Sequence, residues 1–141
     1  MIDIRLEKVE KENIRLLWPK VKNHLQLVAD NAPDELTVYG IKKRLFAGDE
    51  TLLLITRGEE ILACMVASIK TFDTGKRALY IPVLGGRELA EWMPSVHEQL
   101  IDLARQADCD MVQALGARRG WIKAIPGIDT SNCRVTITLE I

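Results

Sequence analysis

Two adjacent glycines, Gly85 and Gly86, followed by Arg87, stand where an apolar run gives way to a helical pattern in the stretch VLGGRELAEW, residues 83–92. At such a junction, backbone N–H groups and the positive end of a helix can hold a phosphate, and glycine lets the anion come close. Val83, Leu84, Gly85, Gly86, Arg87 and Glu88 would form that cradle, with Arg87 as the charged contact. The same glycines can equally be a tight corner leaving a strand, with Arg87 a solvated surface residue. Glu88 weighs against phosphate, because a carboxylate in the first helical turn competes with it. A second cluster, Arg118 and Arg119 beside Gly120 and Trp121, could meet an acidic group, although two arginines do not make a nucleic-acid site. His24 and His97 lie far apart without a ligand pattern, so no metal site is expected. Cys109 has nothing beside it in sequence to activate its thiol. The carboxylates of Asp34, Glu35, Asp49 and Glu50 flank a helical stretch, where capping already explains Asp34.

These residues must be positioned by elements that the periodicity exposes. Ile2, Ile4, Leu6 and Val9 alternate as in a half-buried strand. Ile14, Leu17, Trp18, Val21, Leu25 and Val28 then recur three or four apart, which predicts a helix over 11–31 that Pro19 bends or begins. A second helix is expected over 34–48, capped by Asp34, with Leu36, Tyr39, Ile41 and Leu45 as its stripe and Gly48 at its end. Two apolar runs around Arg-Gly-Glu-Glu predict a hairpin, and Ala78–Val83 the next strand. Leu89, Trp92, Val96, Leu100, Leu103, Ala104 and Ala107 give a longer helix, kinked or divided at Pro94. Residues 110–115 suit a short central strand, 116–127 a loop and short helix, and 133–141 a closing strand. The expected order is β-α-α-β-β-β-α-β-α-β, a mixed α/β sheet flanked by helices, in one domain over 1–141.

Composition narrows the function classes. A formal charge of −1 in 141 residues provides no broad field for nucleic acid or an anionic membrane. No apolar run approaches the roughly 18 residues of a membrane span. The N-terminus lacks a signal-peptide pattern, and three widely spaced cysteines, Cys64, Cys109 and Cys133, are expected as buried thiols in a reducing compartment. A soluble cytoplasmic protein is the expectation.

The element order over essentially the whole chain resembles the GNAT superfamily of CoA-dependent N-acyltransferases. Within it, the stretches LYIPVLGGRELAEW, LIDLARQADCDMV and GARRGWIKAIPGI resemble small phage-encoded GNAT-like proteins. The resemblance implies acetyl-CoA as cofactor, its pyrophosphate at the turn after the fourth strand and its pantetheine arm lying beside that strand. With Arg87 as the first residue of the family's phosphate motif, Ala90 stands where glycine belongs and Trp92 where glycine or alanine belongs. The motif is degraded. Pro82, which has no N–H, either removes one bond to the pantetheine arm or marks the bulge that opens the cleft. The family's acid is commonly a tyrosine near the short helix after the fifth strand, a region that here carries Trp121, so Tyr80 is the catalytic candidate. A strand tyrosine is also a common core residue with a wet hydroxyl.

Two functions follow. One is an acyltransferase-like protein with weak or absent transfer to a small amine or a protein amino group. The other is a binding or assembly protein on the same scaffold, with a phage or host protein partner and a place in host cytoplasm or the virion. A third expectation is self-association through the edge of the closing strand.

Overall fold

The opening alternation forms strand β1, Ile4–Val9, with Ile4 and Leu6 half-buried and Arg5 and Glu7 in solvent. The computed structural model describes residues 3–86, 89–114 and 139. A 3-10 turn over Lys11–Asn13 leads into helix α1, Ile14–Asn31, whose buried residues Ile14, Trp18, Val21, Leu25 and Ala29 keep the helical period. Pro19 lies inside this helix rather than at its start. Both Pro19 and Arg15, the residue whose carbonyl loses its helical donor, are exposed, so the interruption falls on the solvent side.

The second helix, α2, spans Val38–Ala47 and starts later than the apolar pattern predicts. Thr37, and not Asp34, caps it: Thr37 Oγ1 accepts from the Gly40 N–H at 3.0 Å. Asp34 is held instead in the turn between the helices, where the Glu35 and Leu36 N–H groups both bond the Ala32 carbonyl. The later start also overturns the place of Tyr39 in the stripe. Ile41 and Leu45 define the buried face, Tyr39 lies about 200° round the helix from Ile41, and it is 74% exposed. Gly48 ends the helix as expected, at φ 82 in the left-handed region that favours glycine.

Strands β2, Thr51–Arg57, and β3, Glu60–Thr71, form the hairpin. Gly58 opens its two-residue turn at φ 63, which matches the twist such hairpins need. Strand β4, Arg77–Gly86, runs back along β3, helix α3, Leu89–Gln106, follows with Pro94 inside it, and β5, Met111–Ala114, returns parallel to β4. The sheet order is β1-β2-β3-β4-β5, antiparallel except for β4 with β5. This is the expected mixed, mostly antiparallel sheet flanked by helices. The short helix expected over 116–127 and the strand over 133–141, with its edge, lie outside the described residues.

Each face of the sheet buries its own core. Helices α1 and α2 cover Leu52, Leu54, Cys64, Val66 and Val83 with Trp18, Val21, Leu25, Ile41 and Leu45. Helix α3 covers Leu53, Ile55, Ala63, Met65, Leu79 and Ile81 with Trp92, Met93, Val96 and Leu100. It also guards the β1 edge: Gln99 Oε1 accepts from the Leu6 N–H at 2.8 Å while its Nε2 donates to the Ile4 carbonyl at 3.1 Å. A side-chain amide thus occupies backbone groups to which another strand could add.

Candidate functional site

The site expected around residues 80–88 is organised by an irregularity in β4. Val66 pairs with Val83 and Ser68 with Tyr80, so Ala67 of β3 stands opposite both Ile81 and Pro82. This is a β-bulge with Pro82 as one of its two residues, where a missing N–H interrupts the ladder least. Its consequence is a change of parity. Leu79 and Ile81 face α3, whereas beyond the bulge Leu84 faces α3 and Val83 faces α1 and α2.

Among the described residues, parallel pairing with β5 runs from Ala78 opposite Met111 to Ile81 opposite Ala114.

The glycines do not make the expected turn. Gly85 and Gly86 remain in the ladder, opposite Cys64 and Ala63. Local sequence favours a corner, but packing keeps the chain extended. A Cβ on Gly85 would lie 2.2 Å from the His24 carbonyl oxygen and 2.9 Å from Val28 Cγ2, so α1 crosses β4 directly on this glycine. A Cβ on Gly86, at φ 155, would lie 2.3 Å from Ala63 Cβ. Protein atoms, not open space, occupy what the missing side chains would fill. The pair therefore fits close helix-to-sheet packing rather than a phosphate cradle. Arg87 and Glu88, the remaining members of the expected cradle, lie outside the described residues, as do Arg118, Arg119 and Trp121.

At the start of α3, Glu91 places a carboxylate in the first turn, where it opposes anion binding. Trp92 is 1% exposed and belongs to the α3 core. Cys64 opposite Gly85 is buried, and burial pushes its thiol up to about 12, so it carries no thiolate at neutral pH.

Tyr80 is half-buried just before the bulge, on the sheet face shared with Ser68 and Lys70. The Lys70 ammonium lies 4.8 Å from the centre of its ring and 5.7 Å from that of Phe72. Such a contact is worth about 0.5–1 kcal/mol at an exposed site and orients the ring. The sequence reading missed Lys70. Its signal was the antiparallel register, which sets Lys70 diagonal to Tyr80, and that register is fixed by the turn between β3 and β4. The other end of β4 is tied to the turn between α3 and β5 by Arg77, whose backbone N–H donates to Asp110 Oδ2 at 2.9 Å and whose Nη2 donates to the Ala107 carbonyl at 3.2 Å.

The sequence reading also missed an open groove of about 450 Å³ between the end of α1 and the start of α2, lined in part by Gln26, Asp30 and Tyr39. Its signal was charge. From Asn23 to Ile41 the chain carries Asp30, Asp34 and Glu35 but neither lysine nor arginine. His24 and His97 are half-buried on their helices, and among the described residues no cluster of His, Cys, Asp and Glu could hold a metal. No helix among the described residues is long and apolar enough to cross a membrane.

No family model matches the chain. No curated protein matches it in sequence either. Solved structures do match in fold. An aminoglycoside acetyltransferase from an uncultured soil metagenomic sample aligns with TM-score 0.66 and 12% identity over 99% of both chains. A ribosomal-protein-alanine N-acetyltransferase from Brucella melitensis biovar Abortus 2308 aligns with TM-score 0.65 and 10% identity, over 98% of this chain and 99% of its own. A predicted acetyltransferase from Clostridium acetobutylicum, solved with acetyl-CoA, aligns with TM-score 0.60 and 13% identity over 96% of both chains. At these identities the likeness is one of fold: the chain has the GNAT-like mixed α/β architecture seen in solved acetyltransferases.

Proposed function

We propose that the chain is an acyltransferase-like protein that takes acetyl-CoA along 82–86, past the bulge in β4, and transfers its acyl group to an amine weakly or not at all. The observation that carries this reading is the bulge at Ile81–Pro82 in β4, beside the parallel strand β5. The acetyl-CoA-bearing neighbour supports the choice of cofactor. The backbone of 82–86 would hold the pantetheine arm, while Arg87 and the first turn of α3 would meet the pyrophosphate. When bound, the cofactor supplies an activated acyl thioester. Tyr80 is the residue proposed to protonate the departing thiolate, its ring oriented by Lys70. The acceptor is a small amine or a protein amino group, the classes to which the names of two neighbours point.

Weak function follows from electrostatics. Glu91 stands in the turn that should attract phosphate, and the glycines are engaged by α1 and β3. Calorimetric titration with acetyl-CoA tests the reading. Binding on the order of 100 µM, about 5.5 kcal/mol, is expected, weakened at least tenfold by Arg87→Glu and tightened by Glu91→Gln. No binding up to millimolar acetyl-CoA overturns it.

The second reading is a binding or assembly protein that keeps the scaffold without the chemistry. Trp92, buried where the phosphate motif calls for a small residue, favours it. In that reading the resemblance to phage-encoded proteins gives the setting, host cytoplasm or the virion. Detection of the chain in purified particles by mass spectrometry would support the virion, and its absence there would exclude it.

A further inference from the structure

We propose that the outer face of the α1–α2 pair is a docking surface for an anionic lipid bilayer. On the side of α1 opposite its buried stripe stand Leu16, Lys20, Asn23 and Leu27, one at each successive turn and all exposed. On α2 the side opposite Ile41 and Leu45 carries Tyr39, Lys43 and Phe46, again one per turn. Each helix thus sets a lysine between two large apolar residues. Leu16 is 77% exposed, Leu27 54%, Tyr39 74% and Phe46 36%, which makes this face the home of four of the six exposed large hydrophobics among the described residues.

The two stripes form one surface. The helices run antiparallel and touch where the Trp18 and Phe46 rings meet edge to face at 6.2 Å. The Lys42 ammonium lies 5.5 Å from the first ring and 5.4 Å from the second, so its charge is held at the seam. Residues 13–29 and 36–48 contain Arg15, Lys20, Lys22, Lys42, Lys43 and Arg44 and neither aspartate nor glutamate. Arg44 is paired with Glu50, whereas among the described residues the other five have no ion pair. Carboxylates stand only toward the helix ends, Glu12 at one and Asp30 and Asp34 at the other. Along α1, Lys20 lies about 12 Å from Glu12 and about 15 Å from Asp30, beyond the ~8 Å over which exposed charges act at physiological salt. The local field is therefore positive, although the whole chain has a formal charge of −1.

The pairing of charge with apolar side chains selects the occupant. A second copy would set five cations against five more. A nucleic-acid backbone would meet the cations and leave Leu16 and Leu27 in water. An anionic bilayer takes both: leucines and rings enter the acyl boundary while lysines reach the headgroups. Tyr39 suits that level, with an apolar ring and a polar tip. Two convex ridges side by side also fit a plane better than they fit a helix, which needs a groove. The face points away from the sheet, so lipid there leaves β4 uncovered, and docking does not depend on acetyl-CoA.

Flotation of the full chain with vesicles of phosphatidylserine and phosphatidylcholine tests the surface. Saturable binding is expected at physiological salt, absent with phosphatidylcholine alone and lost in molar salt. Lys20→Glu combined with Lys43→Glu should weaken it at least tenfold, and Leu16→Ser combined with Tyr39→Ser at least fivefold. Lys76→Glu, the same charge change in the exposed β3–β4 turn, should alter it less than twofold. No vesicle binding, equal binding to neutral vesicles, or a loss on Lys76→Glu as large as that of the double reversal overturns the inference. Binding that survives Leu16→Ser with Tyr39→Ser, or that is as tight to polyglutamate or oligodeoxythymidylate as to vesicles, also overturns it and makes the face a site for a soluble polyanion instead.

Discussion

The two halves of β4 are built from similar residues and meet different demands. Arg77 to Ile81 pairs with a strand on each side, and Ala78, Leu79 and Ile81 are buried. Beyond the bulge, 82–86 keeps β3, while α1 presses its backbone onto Gly85. The first half is held by ladder bonds and side chains. The second is held by β3 along one edge and by α1 on one face. A single extra residue at Ile81–Pro82 separates these regimes, because it reverses which face each later side chain meets.

The largest expected effect breaks the second half. Gly85→Ala forces a Cβ into the α1 backbone and should destabilise by at least about 3 kcal/mol or prevent folding. Ala78→Gly in the first half should cost only about 1 kcal/mol. Urea denaturation of both variants measures the contrast, and equal effects would show that α1 does not rest on Gly85.

Cys64, opposite Gly85, sharpens the same point through pH. Its folded pKa of about 12 lies above the unfolded value, so the neutral thiol's contribution is complete below about pH 8.5 and is lost as pH rises toward about 12. Stability should therefore fall above that onset with a component approaching about 1.4 kcal/mol per pH unit. Cys64→Ala should remove that component, which paired denaturation curves at pH 8 to 11 would show.

A smaller effect tests the first half. Asp110→Ala deprives the Arg77 N–H of its side-chain acceptor and should cost about 1 kcal/mol, moderated by solvent exposure. Hydrogen exchange should quicken at Arg77 and leave the amides of 83–86 unchanged. The smallest effect on stability belongs to Tyr80→Phe, within about 0.5 kcal/mol, because the ring under Lys70 remains. Any measurable acetyl transfer should nevertheless fall at least tenfold, and an unchanged rate would remove Tyr80 from the chemistry.

What the sequence alone determined was the order of elements. Ile14 to Ala29 and Trp92 to Ala104 repeat at helical spacing, and two continuous apolar runs flank the turn at Gly58 as strands covered on both faces. These signals live within a few residues, where periodicity and turn chemistry act. Capping was less legible, since Asp34 and Thr37 are both competent caps and only the turn bonded to Ala32 makes Thr37 the one used. The glycines were legible as a feature of the end of β4, and their packing was not. Gly85 and Gly86 carry a turn-like local signal, and only α1, some 60 positions earlier in sequence, shows that they are packing residues. Pro82 announced a disturbance, but the register of β3 decided that it is a bulge. Local pattern thus set which elements form, whereas contacts between distant segments set where β4 bulges and what its glycines pack against, because close packing and strand register are properties of neighbours in space.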